Sequence, residues 1–242
     1  MNTLKFDHPR KPLMVAHRGV SGLEQENTNA AFVAAGNRSY YGVETDIHRT
    51  GDGKFVIIHD DTTGRVAVDN LVVEESTYDT LRGLLLKQKN GVKGRTDIRI
   101  PNLEEYIGIC KYYEKDAVLE LKNPMPEEDV HQICKAVEEL DYLEHTIFIS
   151  FSFENLVYVK NKLPHQTVQF LTSKIACNEE LVMKLKDHNM DIDVHYPLVT
   201  PEFVELCHNN GIKVNCWTVD TLEVAQRVAD CGVDFITSNI LE

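Results

Sequence analysis

The sequence predicts an α/β chain wound into a closed barrel, and three observations carry that prediction. Short β-rich runs recur with helical patterns between them, they number eight, and 242 residues with 43% hydrophobic content suit one barrel domain. The strand candidates are residues 13–16, 42–47, 117–121, 146–150, 167–171, 192–195, 213–217 and 235–237. Strands that alternate with helices build a parallel sheet, and eight of them fit a TIM (β/α)8 barrel better than an open doubly wound sheet.

The elements follow in order. After the first strand, Asn27 and Thr28 precede Ala30-Ala31-Phe32 as a helix start. The second strand leads into Thr50-Gly51-Asp52-Gly53-Lys54, a tight-turn signal, and the apolar run Phe55-Val56-Ile57-Ile58 then returns the chain as a hairpin. From about residue 60 to 101 the repeat is interrupted. Gly64, Gly83, Gly91 and Gly94, a basic patch from Lys87 to Arg95 and one short helical pattern near 76–86 read as an insertion over the barrel mouth, with the run from Lys87 to Lys93 a solvated loop. Residues 126–140 place Val130, Ile133, Val137 and Leu140 on one stripe at helix period, with acids in the first turn, as expected of an outer-layer helix. Thr200-Pro201-Glu202 starts another. No internal repeat or low-complexity linker divides the chain, so residues 1–242 read as a single domain.

Charge and composition narrow the partners. Asp and Glu number 38 against 25 Lys and Arg, a net charge of -13 that disfavours a nucleic-acid surface or a polybasic membrane anchor and favours a small-molecule ligand. Oligomeric state is not legible. The six cysteines lack a C-x-x-C pair and read as reduced, mostly buried thiols. Residues 1–20 have no signal-peptide apolar core, and no run approaches the ~20 apolar residues of a membrane span, so a cytoplasmic location is expected.

Chemistry-bearing residues gather at the carboxyl ends of the strands, where barrels of this type place their sites. Glu44 and Asp46 are two apart on one strand, so both carboxylates project to one face and can share a hard cation. Glu120 is a third acid inside the apolar run 117–121, where an unpaired charge is costly; its partner is either Lys122 or a cation held jointly with Glu44 and Asp46. Oxygen-only ligation points to one divalent cation, Mg2+ or Ca2+, rather than zinc. His17, followed by Arg18, and His59, followed by Asp60, are the mouth histidines flanked by charge. Two such imidazoles can divide acid and base work on a phosphodiester, with Arg18 stabilising phosphoryl charge. Several of these residues have plainer readings. Trp217 also fits barrel core, Lys122 can serve only Glu120, and Glu26 can be a helix-start acid beside an Asn27 cap. His48, His131, His145, His165, His188 and His208 read as surface or helix residues, and His195 as a neighbour of the mouth.

In order and context, His17-Arg18-Gly19, Glu26-Asn27-Thr28, Glu44-x-Asp46, Asp52-Gly53, His59-Asp60, Glu120-Leu121-Lys122 and Trp217-Thr218 resemble the glycerophosphodiester phosphodiesterase family from residue 13 to about 238. The resemblance implies a TIM barrel with a small insertion after the second strand, a divalent ion on Glu44, Asp46 and Glu120, and His17 and His59 as the catalytic acid/base pair. It also implies substrate contacts from Arg18, Lys122 and Trp217, the last as an apolar wall. The implied reaction is cleavage of a glycerophosphodiester to sn-glycerol 3-phosphate and an alcohol. A phospholipase C or D-like lipid phosphodiesterase and a catalytically silent barrel that binds phosphorylated ligands are the alternatives. The chain departs from the family pattern at Gln25, where proline is usual. It departs again after the last strand, where Thr237-Ser238-Asn239-Ile240 replaces Thr-Asp-x-Pro and no final helix is expected.

Overall fold

A computed structural model describes residues 2–89, 91, 94–174 and 178–242. Its elements run β1 (Leu13–Ala16), α1 (Asn29–Gly36), β2 (Gly42–Arg49), β3 (Phe55–Ile57), α2 (Tyr78–Arg82), α3 (Leu103–Tyr112), β4 (Asp116–Leu121), α4 (Glu127–Glu139), β5 (Thr146–Ser150), α5 (Phe153–Lys162), β6 (Val168–Thr172), α6 (Glu179–Asp187), β7 (Asp191–His195), α7 (Pro201–Asn209), β8 (Val214–Trp217), α8 (Leu222–Cys231) and β9 (Phe235–Ser238). All eight strands expected from the sequence are present. They pair in parallel in the order β1-β9-β8-β7-β6-β5-β4-β2, and β2 pairs back with β1, so the ring closes as a TIM barrel. The last strand completes it without a following helix, Leu13 to Ala16 lying in register with Phe235 to Ser238. β3 lies outside the ring, antiparallel to the end of β2, as the hairpin signal predicts.

Alternation along the strands separates two packing surfaces. Val15, Val118, Ile147, Ile149, Leu171 and Phe235 cluster together, partly buried Tyr41 and Trp217 packing against them, and fill the barrel interior. The opposite faces pack on the helices in the larger core, where Phe32 of α1 meets Tyr106 of α3 edge-on at 5.1 Å between ring centroids. Truncating such a fully buried aromatic costs about 3–5 kcal/mol. Tyr106 also donates its hydroxyl to the Val43 carbonyl at 2.6 Å, which ties α3 to the strand that carries Glu44 and Asp46.

Helix starts follow side-chain chemistry. Thr28, Asn102, Ser152, Asn178, Thr200 and Thr221 each accept a first-turn backbone N–H, and Asn102 with Glu105 forms a reciprocal capping box. Helix α4 has no side-chain cap and instead carries Glu127, Glu128 and Asp129 in its first turn, where the helix dipole favours negative charge. At the start of α1 the cap is Thr28 alone. Asn27 does not cap the helix, because its amide is drawn to the barrel, as described below.

The segment between β3 and α3 has a small core of its own, in which Val56, Ile58, Val66, Ala67, Val73, Leu81, Leu86, Ile98 and Ile100 are buried together. Among its described residues the one α-helix is α2, shorter than the 76–86 pattern, preceded by a 3-10 turn at Val73–Glu75. The basic loop is partly described: Lys87 donates to the Gly64 carbonyl, and Arg95 pairs with Glu24 and Asp97, whereas Lys93 lies outside the described residues. Of the cysteines, Cys110, Cys134 and Cys216 are buried free thiols, Cys207 is buried and Cys231 is half-buried; Cys177 lies outside the described residues.

Candidate active site

Three carboxylates converge where β2 and β4 end. Asp46 and Glu120 are register partners on adjacent strands, and Glu44 lies two residues before Asp46 on the same face. All three are buried, and each offers an oxygen within 4.8 Å of the others. Glu44 Oε2 accepts the backbone N–H of Arg18 at 2.8 Å, and Asp46 Oδ2 accepts the Asn27 side-chain amide at 2.8 Å. Asp46 Oδ1 is buried without a hydrogen-bond donor.

Two cations answer the three acids. Lys122 Nζ lies 2.8 Å from Glu120 Oε1 and 3.6 Å from Asp46 Oδ1, and Arg18 Nε lies 3.6 Å from Asp46 Oδ2. Arg18 and Lys122 outweigh the burial of Asp46 and hold its carboxyl down at about 2. The other two acids are left short of positive charge. Burial, then repulsion from Asp46, raises Glu120 to about 8, and burial with repulsion from Asp46 and Glu120 drives Glu44 well above the usual carboxylate range. A surplus carboxylate, an orphaned buried oxygen and an all-oxygen donor set together fit a hard divalent cation, which would relieve both defects.

The histidines stand on either side of this cluster. His17 follows β1, with Nε2 4.0 Å from Glu44 Oε2, and its Nδ1 donates to Asn239 Oδ1 at 2.7 Å. Asp220 fixes the orientation of that amide by accepting Asn239 Nδ2 at 2.6 Å and the Asn239 backbone N–H at 2.8 Å. With the amide nitrogen committed to Asp220, the oxygen faces His17, so Nδ1 carries the proton and Nε2 is the lone-pair nitrogen. Burial, then the neighbouring Arg18, lowers the imidazole to about 4. His59 follows β3 and donates from Nδ1 to Asp60 Oδ1 at 2.6 Å. His48 is not a surface residue. It sits on β2 with no exposure, Nε2 3.1 Å from the His59 carbonyl, because β3 and the following segment cover that end of the strand.

Gly19 makes the turn after Arg18 possible. It has φ +72°, and a Cβ there would come within 2.7 Å of Ala31 on α1. The turn brings the Arg18 guanidinium 2.9 Å from Glu26 Oε1. Glu26 is therefore an ion-pair partner and not a helix-dipole acid. A cavity of about 150 Å³ opens beside these groups, lined by His17, Arg18, Glu44, His59 and Glu120 on one side and by Ile149, Phe151, Leu171 and Trp217 on the other. Trp217 packs edge-on against Phe151 at 5.7 Å and near His195 at 5.2 Å, and its Nε1 has no partner.

The sequence profile of the glycerophosphoryl diester phosphodiesterase family matches residues 17–241. The chain belongs to that family. It is 33% identical over 234 residues to the glycerophosphodiester phosphodiesterase of Caldanaerobacter subterraneus, covering 95% of this chain and 94% of that one. Among solved structures, an Oleispira antarctica phosphodiesterase in complex with the product sn-glycerol-3-phosphate superposes with a TM-score of 0.84 at 27% identity, covering 95% of this chain and 93% of that one. A structure from Silicibacter pomeroyi superposes at 0.86 with 23% identity, covering 97% and 92%, and shares the fold.

In this family member, all eight site residues read from the sequence, His17, Arg18, Glu44, Asp46, His59, Glu120, Lys122 and Trp217, meet at one end of the barrel. Four others were not legible. Asn27 donates to Asp46 while accepting the Thr45 hydroxyl, Asn239 and Asp220 hold His17, and Asp193 lines the cavity floor. Burial raises the Asp193 carboxyl well above its ordinary range, and its Oδ1 lacks a partner. Two of them had a signal, Asn27 within the Glu26-Asn27-Thr28 motif and Asn239 within the departure after the last strand.

Proposed function

We propose that this chain hydrolyses glycerophosphodiesters to sn-glycerol 3-phosphate and an alcohol, with one Mg2+ or Ca2+ ion held by Glu44, Asp46 and Glu120. The observation that carries this reading is the convergence of a buried triple-carboxylate cluster, two cations and two separately oriented imidazoles on one cavity. The product complex of the Oleispira relative supports the glycerol phosphate half of the substrate.

In the proposed mechanism, Arg18 and Lys122 draw the phosphoryl group to the metal side of the cavity and balance charge that builds on its oxygens. Glu44, Asp46 and Glu120 would hold the cation, which would supply Lewis-acid stabilisation of the same charge. His17, with its lone-pair nitrogen turned towards the acidic cluster by Asn239, accepts a proton from the oxygen that attacks phosphorus, either a water molecule or the substrate's own 2-hydroxyl, water then opening the cyclic ester in a second step. Burial lowers His59 below an ordinary imidazole, while its Nδ1–H faces the Asp60 carboxylate, which favours the protonated ring; in that form it delivers a proton from Nε2 to the departing alcohol oxygen. Trp217 and Phe151 wall the alcohol side.

The scattered cysteines, with no C-x-x-C pair, also support a cytoplasmic placement. No described helix is long and apolar enough to cross a membrane. The test is release of glycerol 3-phosphate from glycerophosphocholine and glycerophosphoethanolamine with added Mg2+ or Ca2+, and its loss with EDTA. Absence of product from every glycerophosphodiester at any metal concentration defeats the proposal.

A further inference from the structure

Arg65 lies outside the barrel, in the segment between β3 and α3, and is part-exposed, yet it joins the two halves of the site. Its Nε and Nη2 donate to Asp60 Oδ2 and Oδ1 at 2.6 and 2.9 Å, while Nη2 and Nη1 donate to Glu26 Oε1, at 2.9 Å, and Oε2. Each acid then holds a group that faces the cavity. Asp60 Oδ1 accepts His59 Nδ1, and Glu26 Oε1 accepts Arg18 Nη1. The result is a chain of alternating sign, His59, Asp60, Arg65, Glu26, Arg18 and Asp46, in which one planar guanidinium forks onto two carboxylates from different loops.

We propose that Arg65 is a positioning residue, which fixes the His59 ring for proton transfer through Asp60 while anchoring the Glu26–Arg18 pair on the other side. Geometry favours this over a purely structural ion pair. Asp60 is the only acid paired with His59 among the described residues, and its second oxygen is committed to Arg65, so the carboxylate cannot swing without breaking the fork. Hydrogen bonds from Arg65, foremost, hold Asp60 well below the usual carboxylate range and so keep it an acceptor for His59. Part-exposed ion pairs contribute little to stability, so removing Arg65 separates positioning from folding.

This proposal rests on the hydrolase reading above, and its test distinguishes the two. Wild type, Arg65→Met and Arg65→Lys are compared on glycerophosphocholine and on the 4-nitrophenyl ester of glycerol phosphate, whose leaving group departs without a proton. Arg65→Met should lower kcat on the choline ester by about 30-fold and on the nitrophenyl ester by about 3-fold or less, with Tm nearly unchanged. Arg65→Lys should recover only part of the loss, because an ammonium lacks the planar fork that binds each of the two carboxylates through both oxygens. Unchanged kcat, or an equal loss on both esters, overturns the proposal. Ring 15N shifts of His59 provide a readout independent of turnover: the Nδ1–H tautomer should dominate in wild type and mix with the Nε2–H form in Arg65→Met. If wild type hydrolyses neither ester, the hydrolase reading fails while the tautomer measurement still decides what Arg65 does to His59, and an identical tautomer in both proteins refutes it.

Discussion

His17 and Asn239 are 222 residues apart in sequence and 2.7 Å apart in space, and the bond between them decides which imidazole nitrogen is free. Asp220 sets the bond by holding the Asn239 amide nitrogen. Replacing Asn239 with Leu should therefore lower kcat on glycerophosphocholine by about 100-fold, the scale of one misdirected acid–base group, with a smaller change in KM. Asp220→Asn should cost less, because the Asn239 amide is then free to turn and not removed. Steady-state kinetics on both folded variants measure the difference; equal kcat in wild type and Asn239→Leu would remove His17 from the chemistry.

The two imidazoles should each be indispensable. His17→Ala and His59→Ala are expected to lose about 10²–10⁴ in kcat while retaining wild-type circular dichroism and Tm within a few degrees. If one of them leaves turnover of glycerophosphocholine intact, the division of acid and base work between them is wrong.

Metal removal should expose the charge imbalance through pH. Glu120, raised to about 8 without a cation, binds more protons folded than unfolded, so its contribution is full below about pH 4.5 and is lost as pH rises through about 8. Glu44 acts in the same direction. His17 acts oppositely: lowered to about 4, it contributes above 6.5 and loses that contribution as pH falls through 4. Above pH 6.5 the carboxylates act alone, so metal-free protein should lose Tm between pH 6.5 and 8. Added Mg2+ or Ca2+ should raise Tm more at pH 8 than at pH 6, by mass action on the folded state. Calorimetry with and without EDTA reads both, and a pH-independent metal effect would place the ion elsewhere.

Trp217 offers an apolar face and an unpartnered indole N–H beside Phe151. Trp217→Ala is expected to raise KM for glycerophosphocholine about 10-fold with a lesser effect on kcat, and Trp217→Phe to recover most of it if the face matters more than the N–H. An unchanged KM in Trp217→Ala would return the residue to plain barrel packing.

Much of this was decided locally. Eight β-rich runs with helical patterns between them specify the barrel, because strand and helix periods are written in neighbouring residues, and Glu44 and Asp46 share a face because a strand repeats every two residues. Glu120 was conspicuous as a charge in an apolar run, and Lys122 followed it on the same face. The sequence alone therefore determined the fold class, the acidic pair and the ends of strands from which the site is built. Only the tertiary structure decided that Glu120 stands in register with Asp46, that Asn27 turns from the helix start to the barrel, that His48 is covered, and that Asn239, Asp220 and Arg65 orient the two histidines. These contacts join different strands and loops, up to 222 residues apart in the case of His17 and Asn239. No local period encodes them, since their partners are set by which strands the closed ring makes adjacent and which loops it brings over one mouth.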